Sequence, residues 1–358
     1  MALRLLALSQ RSRCTSFRRI ITTIVSRNSR YVERKYVRMQ TTCAGTRKGQ
    51  AFEKIPRQQF SYSSSHSEAT MRFVQFQRKN DKRKRLGVVS EDGTSLVELS
   101  SGACISSDFI NFLHQNMSMQ EITNKLNFLP KETLTDSYRL LPPISNPGKI
   151  LCVGLNYLDH CEEQNKPAPK EPMFFSKFAS ALVGPTDNVI AHKCSTKIDW
   201  EVELAVIIGK EAKGVTKEKA MDYVFGYAVA QDISARDWQK ERNGGQFLIG
   251  KSMDTFCPMG PCVVHKSVIK DPYNLILTTL INGVEKQKGN TKNMIFKIDD
   301  VISRITESIT LYPGDIILTG TPKGVGMHRN PPEFLKPGDV IESEIQCLGK
   351  LINKVVAP

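Results

Sequence analysis

From residue 149 to 357 the chain runs as short β-branched stretches cut by glycine and proline, and that pattern narrows the folds open to it. The stretches are Ile150 to Val153, Ile198 to Ile208, Phe225 to Gln231, Leu275 to Ile281, Asp315 to Leu318 and Val340 to Ile345. Asn282-Gly283 is a hairpin-type turn pair. Helical spacing is confined to Tyr157 to Gln164, Lys217 to Asp222 and Ile298 to Thr306, too little for regular βαβ alternation. The reading is α+β and mainly β: a rolled or sandwiched sheet with peripheral helices, and not a doubly wound dinucleotide fold. Gly320 to Gly326 lacks the G-x-x-x-x-G-K-[ST] order of a phosphate loop.

With 358 residues, 40% of them hydrophobic, the chain can bury a full core. Upstream, Arg72 to Phe76 and Leu86 to Val89 read as two strands around a charged turn at Lys79 to Arg85. Asp108 to Gln115 and Met119 to Leu126 have helical spacing, and Leu141 to Gly148 is a turn-rich linker. These signals divide the chain into a leader over 1–65, a small β-rich N-terminal domain over 70–144 and a catalytic domain over 145–358.

The formal charge of +14 suggests nucleic acid until it is mapped. Residues 1–60 hold 14 Lys and Arg against Glu33 and Glu53, so +12 sits there and +2 in the remainder. That segment is Arg-rich, acid-poor and amphipathic, the composition of a mitochondrial transit peptide, with removal expected near Ser61 to Glu68. A basic arm for nucleic acid is the competing reading. Neither a secretory signal nor an apolar run of about 20 residues for a membrane span is present. Nine scattered cysteines without a C-x-x-C pair read as reduced thiols, which suits a mitochondrial matrix or cytosol.

The chemistry begins at Asp199-Trp200-Glu201-Val202-Glu203-Leu204. On a strand Glu201 and Glu203 share one face, while Trp200, Val202 and Leu204 take the other. Two like charges leading into apolar Ala205 to Ile208 resist burial unless a cation or donors compensate them. An edge strand with an acidic solvent face is the bland alternative. A third carboxylate, Asp232, ends the Phe225 to Gln231 run, and three carboxylates without nearby Cys or His suit Mg2+, with Mn2+ or Ca2+ possible.

Four other stretches carry usable groups. His160 and Glu163 are three apart, so on a helix the carboxylate can orient the imidazole as a water-activating base. Lys177 follows an apolar run and alone says little. Arg236 and Gln239 follow Asp232, and Lys251 ends another apolar stretch, where desolvation would lower its pKa unless it snorkels. The glycines around Thr321 would admit a carboxylate to backbone amides, or form a plain turn.

Taken in order, Gly154-Leu155-Asn156-Tyr157 with His160, the Asp199 to Ala205 run, Gln231 to Gln239, Gly250-Lys251-Ser252 and Thr319 to Gly326 closely resemble the fumarylacetoacetate hydrolase family over about residues 145–357. The leader, the hairpin and Lys170 to Ala181 look most like the second subfamily of fumarylacetoacetate-hydrolase-domain-containing proteins. The resemblance implies a β-roll catalytic domain, a homodimer, and a metal held by Glu201, Glu203 and Asp232. It further implies a lid carrying His160 and Glu163, an active-site Lys251, and substrate contacts from Asn156, Lys177, Arg236, Gln239 and Thr321. The expected substrate is a small oxo acid, with no nucleic acid or membrane partner. The first expectation is an oxaloacetate keto–enol tautomerase. The alternatives are a C–C hydrolase of acylpyruvates or β-diketo acids, with oxaloacetate decarboxylation as a side reaction, and a catalytically idle metal and carboxylate-binding scaffold.

Overall fold

The computed structural model describes residues 71–101 and 104–358, so the leader reading over 1–65 lies outside the described residues. The described chain is mainly β, as the sequence predicts. Its largest sheet has twelve strands, in which Val202–Ile208 lies between Val224–Gln231 and Ile316–Leu318. Beyond Val224–Gln231 come Cys257–His265 and then Arg72–Arg78, so the first hairpin continues the sheet that holds the two glutamates. A second, five-stranded sheet is built around Ile276–Ile281, Val340–Ile345 and Gly349–Val356.

The interior position of Val202–Ile208 follows from its composition. Val202, Leu204, Val206 and Ile208 face one core and Ala205 and Ile207 the other, so an apolar residue is needed on both faces. The first core is closed by helix Ile298–Thr306, which buries Ile298, Val301, Ile302 and Ile305, the spacing of one helical face. Each such side chain contributes about 1.5–3 kcal/mol on burial. In the second core Phe73 packs against Phe109, Phe112 and Phe225 with ring centroids 5.3–5.8 Å apart. Asn282 and Gly283 take φ of 51° and 77°, the left-handed pair a tight hairpin turn demands.

Several local expectations change. The run Ile198 to Ile208 is not one strand but two, Ile198–Asp199 and Val202–Ile208. At the break the Asp199 side chain accepts from the Trp200 amide at 2.8 Å. Glu201 therefore lies in the break, just ahead of the strand, and Glu203 on an interior strand paired along both edges; they are 5% and 2% exposed, so neither belongs to an acidic solvent face. The charged turn expected over Lys79 to Arg85 is shorter, and strand Asp81–Val89 includes most of those charges. They are tolerated because Asp81 accepts from Arg83 and Arg85. Strand Cys257–His265 carries no clear strand signal in the sequence, because Pro258 and Pro261 interrupt its pattern.

Phe73→Ala should lower the unfolding free energy by about 3–5 kcal/mol, since it removes the ring shared by three aromatic neighbours. Urea denaturation followed by far-ultraviolet circular dichroism would measure this. A loss under about 1 kcal/mol would show that the cluster does not anchor the hairpin.

Candidate active site

Strand pairing puts the three carboxylates together. Glu203 lies opposite Ala230 and Val202 opposite Gln231, and the Asp232 amide donates to the Glu201 carbonyl at 2.9 Å. One oxygen from each of Glu201, Glu203 and Asp232 then falls within 4.8 Å of the others. Burying so much like charge is prohibitive without compensation. Lys251 Nζ lies 2.5 Å from Glu201 Oε2 and 2.6 Å from Asp232 Oδ2. Lys177 Nζ lies 2.7 Å from Asp232 Oδ1. Arg236 spans two acids, Glu201 at 2.6 Å and Asp199 at 2.8 Å.

Glu203 is the exception. It accepts from a backbone amide, Gly320 N–H at 2.7 Å, and among the described residues no cation pairs with it. Gly320 has φ of 95°, and a Cβ there would sit 2.9 Å from the Asn156 Cβ, so the position requires glycine. Burial, followed by the Asp232 and Glu201 charges, pushes the Glu203 carboxyl well above the ordinary range. Burial alone would also raise Glu201, but Arg236 and Lys251 outweigh it and hold that carboxyl low. The buried acidic triad could bind a metal ion, and a divalent cation fits because it would supply the charge that Glu203 lacks, to an all-oxygen donor set.

Lys251 departs from the sequence expectation. Burial would lower its pKa, yet Asp232 and Glu201 overcome that and hold the ammonium above its ordinary value. Its setting therefore favours the ammonium form.

A cavity of about 140 Å³ adjoins these groups, lined among others by Glu201, Glu203, Arg236, Gln239, Lys251 and His160. It is smaller than the roughly 300–1,000 Å³ of a drug-sized site. Glu163 Oε2 lies 2.9 Å from His160 Nδ1, while its Oε1 accepts from Gly324 N–H at 2.8 Å, so this carboxylate joins helix Leu158–Glu163 to the glycine loop. Gln239 accepts from Arg236 at 2.9 Å through its carbonyl oxygen, which leaves the amide nitrogen as a donor toward the cavity it lines.

Three residues expected against substrate are occupied elsewhere. Asn156 is fully buried and spends both ends of its amide on Phe296 and Thr319. Lys177 holds Asp232 and donates to the carbonyls of Ile233 and Lys251. The Thr321 hydroxyl, although Thr321 lines the cavity, donates to the Val202 carbonyl at 2.9 Å and accepts from Gln287 at 2.8 Å. The cavity also brings in Gln164, Lys166, Lys240 and His328, which carried no signal in the sequence. Asp199 was legible only as the acid before the glutamates; it also accepts from Gly326 N–H at 2.6 Å and ties the glycine loop to Arg236.

A small cavity lined by Glu201, Glu203, Lys251 and His160, set in a mainly β body beside a buried acidic triad that could hold a metal, has the make-up of an enzyme active site. The model for "Fumarylacetoacetate (FAA) hydrolase C-terminal" matches residues 149–356, and this chain belongs to that family. It is 48% identical over 292 residues to bovine (Bos taurus) mitochondrial oxaloacetate tautomerase FAHD2A, covering 80% of this chain and 92% of the relative. The human (Homo sapiens) FAHD2A protein of the same description is 46% identical, with the same coverage of 80% and 92%. Among solved structures, the fumarylacetoacetate hydrolase of Exiguobacterium antarcticum superposes with a TM-score of 0.71 at 35% identity, over 81% of this chain and 100% of its own. The maleylpyruvate hydrolase of Sphingobium sp. SYK-6 gives 0.67 at 31%, over 80% and 100%.

The raised pKa of Glu203 fixes a sign. The metal-free fold holds a proton there that the unfolded chain releases above about pH 4.3. The stability from that proton is present below this pH and lost as pH rises toward the folded pKa. In chelator, the melting temperature should therefore fall more steeply between pH 4.5 and 8 in the unaltered protein than in Glu203→Gln. Mg2+ at pH 8 should restore the first and not the second. Equal slopes in the two proteins would refute this account of Glu203.

Proposed function

We propose that the protein is an oxaloacetate tautomerase of the mitochondrial matrix, made with a transit peptide and acting as a homodimer, which converts enol-oxaloacetate to the keto form. The observation that carries this reading is Lys251, a buried ammonium bridging two acids beside a cavity for a small anion. The activity named for the bovine and human relatives supports it. Mg2+ is the first choice of ion for Glu201, Glu203 and Asp232, and Mn2+ or Ca2+ would suit the same oxygens. Such an ion, held by these carboxylates, would supply Lewis-acid stabilisation of the negative charge that develops on the substrate, and would share the oxygens that hold Lys251 as an ammonium.

Charge balance favours an anionic oxo acid. Asp199, Glu201, Glu203 and Asp232 give four negative charges against three from Lys177, Arg236 and Lys251, so a divalent ion leaves one net positive charge. Lys166 and Lys240 also line the cavity, and burial, followed by Lys166 and Arg236, lowers the Lys240 pKa. A dicarboxylate relieves that repulsion. Arg236 and Gln239 are the donors we assign to its oxygens, and Asn156, Lys177 and Thr321 position the groups around them.

Lys251 carries the proton. The π pair of the enol takes a proton from the ammonium at C3, the C2–O bond becomes a carbonyl, and the amine recovers the proton from the 2-hydroxyl. Proton count and charge return to their starting values. The His160–Glu163 pair supports a second reading, a hydrolase of acylpyruvates, in which His160 would activate a water.

A paired assay separates the readings. Enol-oxaloacetate loss, followed in the ultraviolet, should be fast and dependent on Mg2+, with acetylpyruvate cleavage slow. Lys251→Met should reduce ketonisation by about 10²–10⁴-fold. Cleavage faster than ketonisation, abolished by His160→Ala with the metal still bound, would replace the tautomerase with the hydrolase. Mg2+ binding without turnover of either substrate would leave only the scaffold reading.

A further inference from the structure

The imidazole of His160 is held at both nitrogens. Nδ1 lies 2.9 Å from Glu163 Oε2, and Nε2 lies 2.9 Å from the side-chain nitrogen of Gln164. An ionised carboxylate only accepts, so Nδ1 carries the ring hydrogen and Nε2 of the neutral ring is a lone pair. The Gln164 amide donates into that lone pair. The contact has a local cause, because Gln164 is the C-cap of helix Leu158–Glu163 and stands four residues after His160, on the same face. Gln164 also lines the cavity, so the capped nitrogen belongs to the space where substrate and water would meet.

A general base acts through a free lone pair, and here that pair is filled. We infer that Gln164 determines which reaction the cavity supports: by occupying His160 Nε2 it withholds the base that cleavage requires and leaves proton transfer to Lys251. This rests on the tautomerase reading of the site. In the cleavage that Gln164 suppresses, the oxygen of water bonds to the distal carbonyl carbon of an acylpyruvate while His160 Nε2 takes its proton. The C3–C4 bond then breaks with its electron pair moving to C3, and C3 takes a proton to give pyruvate beside the carboxylic acid from the acyl group. Gln164 is thus a positioning residue acting through His160, and its substitution changes the ratio of two reactions.

The test uses the full chain with Mg2+, measuring acetylpyruvate cleavage and enol-oxaloacetate ketonisation on the same preparations. Gln164→Met keeps the length of the side chain and removes the donor, and Gln164→Ala serves as the second variant. The ratio of cleavage to ketonisation should rise about 10–100-fold. Adding Glu163→Gln to Gln164→Met should remove the gain, because the oriented base needs its carboxylate. An unchanged ratio in either variant that retains its melting temperature and Mg2+ binding overturns the inference, as does unaltered protein that already cleaves as fast as it ketonises. Failure of the unaltered protein to ketonise, with a cleavage gain in Gln164→Met, would refute the tautomerase reading and leave the capping of His160 standing.

Discussion

Four carboxylates buried in one small volume dictate the architecture around them. A desolvated carboxylate carries a penalty of several kcal/mol, so each must meet a cation or a donor inside the protein. The compensating groups come from separate elements: Lys177 from strand Met173–Lys177, Arg236 from helix Arg236–Lys240, Lys251 from helix Leu248–Ser252. Those elements cannot drift without uncovering a charge. Asp199 extends the same logic to the glycine loop, since one carboxylate takes the Arg236 guanidinium and the amides of Gly326 and Met327. A polar network behind the strands completes it, with Gln231 accepting from the Glu201 amide and Gln287 from the Val202 amide.

Within that frame two nitrogen groups stand at the cavity in different settings. Lys251 is held as an ammonium by Asp232 and Glu201, whereas His160 is hydrogen-bonded at both ring nitrogens. Nothing in the backbone separates an isomerase from a hydrolase here. The difference lies in which nitrogen has a free electron pair, and that is a matter of one or two side-chain hydrogen bonds.

The sheet architecture was legible because burial on both faces demands unbroken apolar runs, and such runs survive in Val202 to Ile208 and Val224 to Gln231. Helix Ile298–Thr306 was legible in full from its apolar spacing. Strand Cys257–His265 was not, since its prolines obey tertiary pairing and local propensity argues against them. For the site, the triad could be anticipated from alternation and strand ends, while its charge partners could not. Lys177 and Lys251 lie 74 positions apart, and their meeting at Asp232 is a product of topology. The same holds for Lys251: a sequence displays the apolar stretch that would lower its pKa but not the two acids that raise it. Gln164 was hidden for the opposite reason, being adjacent to a recognised motif yet ordinary in type.

Strand Arg72–Arg78 pairs with Asp81–Val89 on one edge, and on the other with Tyr138–Leu140 over Phe76 to Arg78 and with the remote Cys257–His265 at Arg72 and Phe73. A chain that emerges amino end first closes the hairpin early, covers Phe76 to Arg78 with Tyr138–Leu140, and then waits for the remote strand with the Arg72–Phe73 end of that edge bare. During that interval the edge around Phe73 is an adhesive surface for any other strand. The loop bearing Gly320 and the last strand, Gly349–Val356, arrive later still. Catalytic competence is therefore acquired at the end of assembly, and a truncated or stalled chain would carry the acids without the backbone that restrains them.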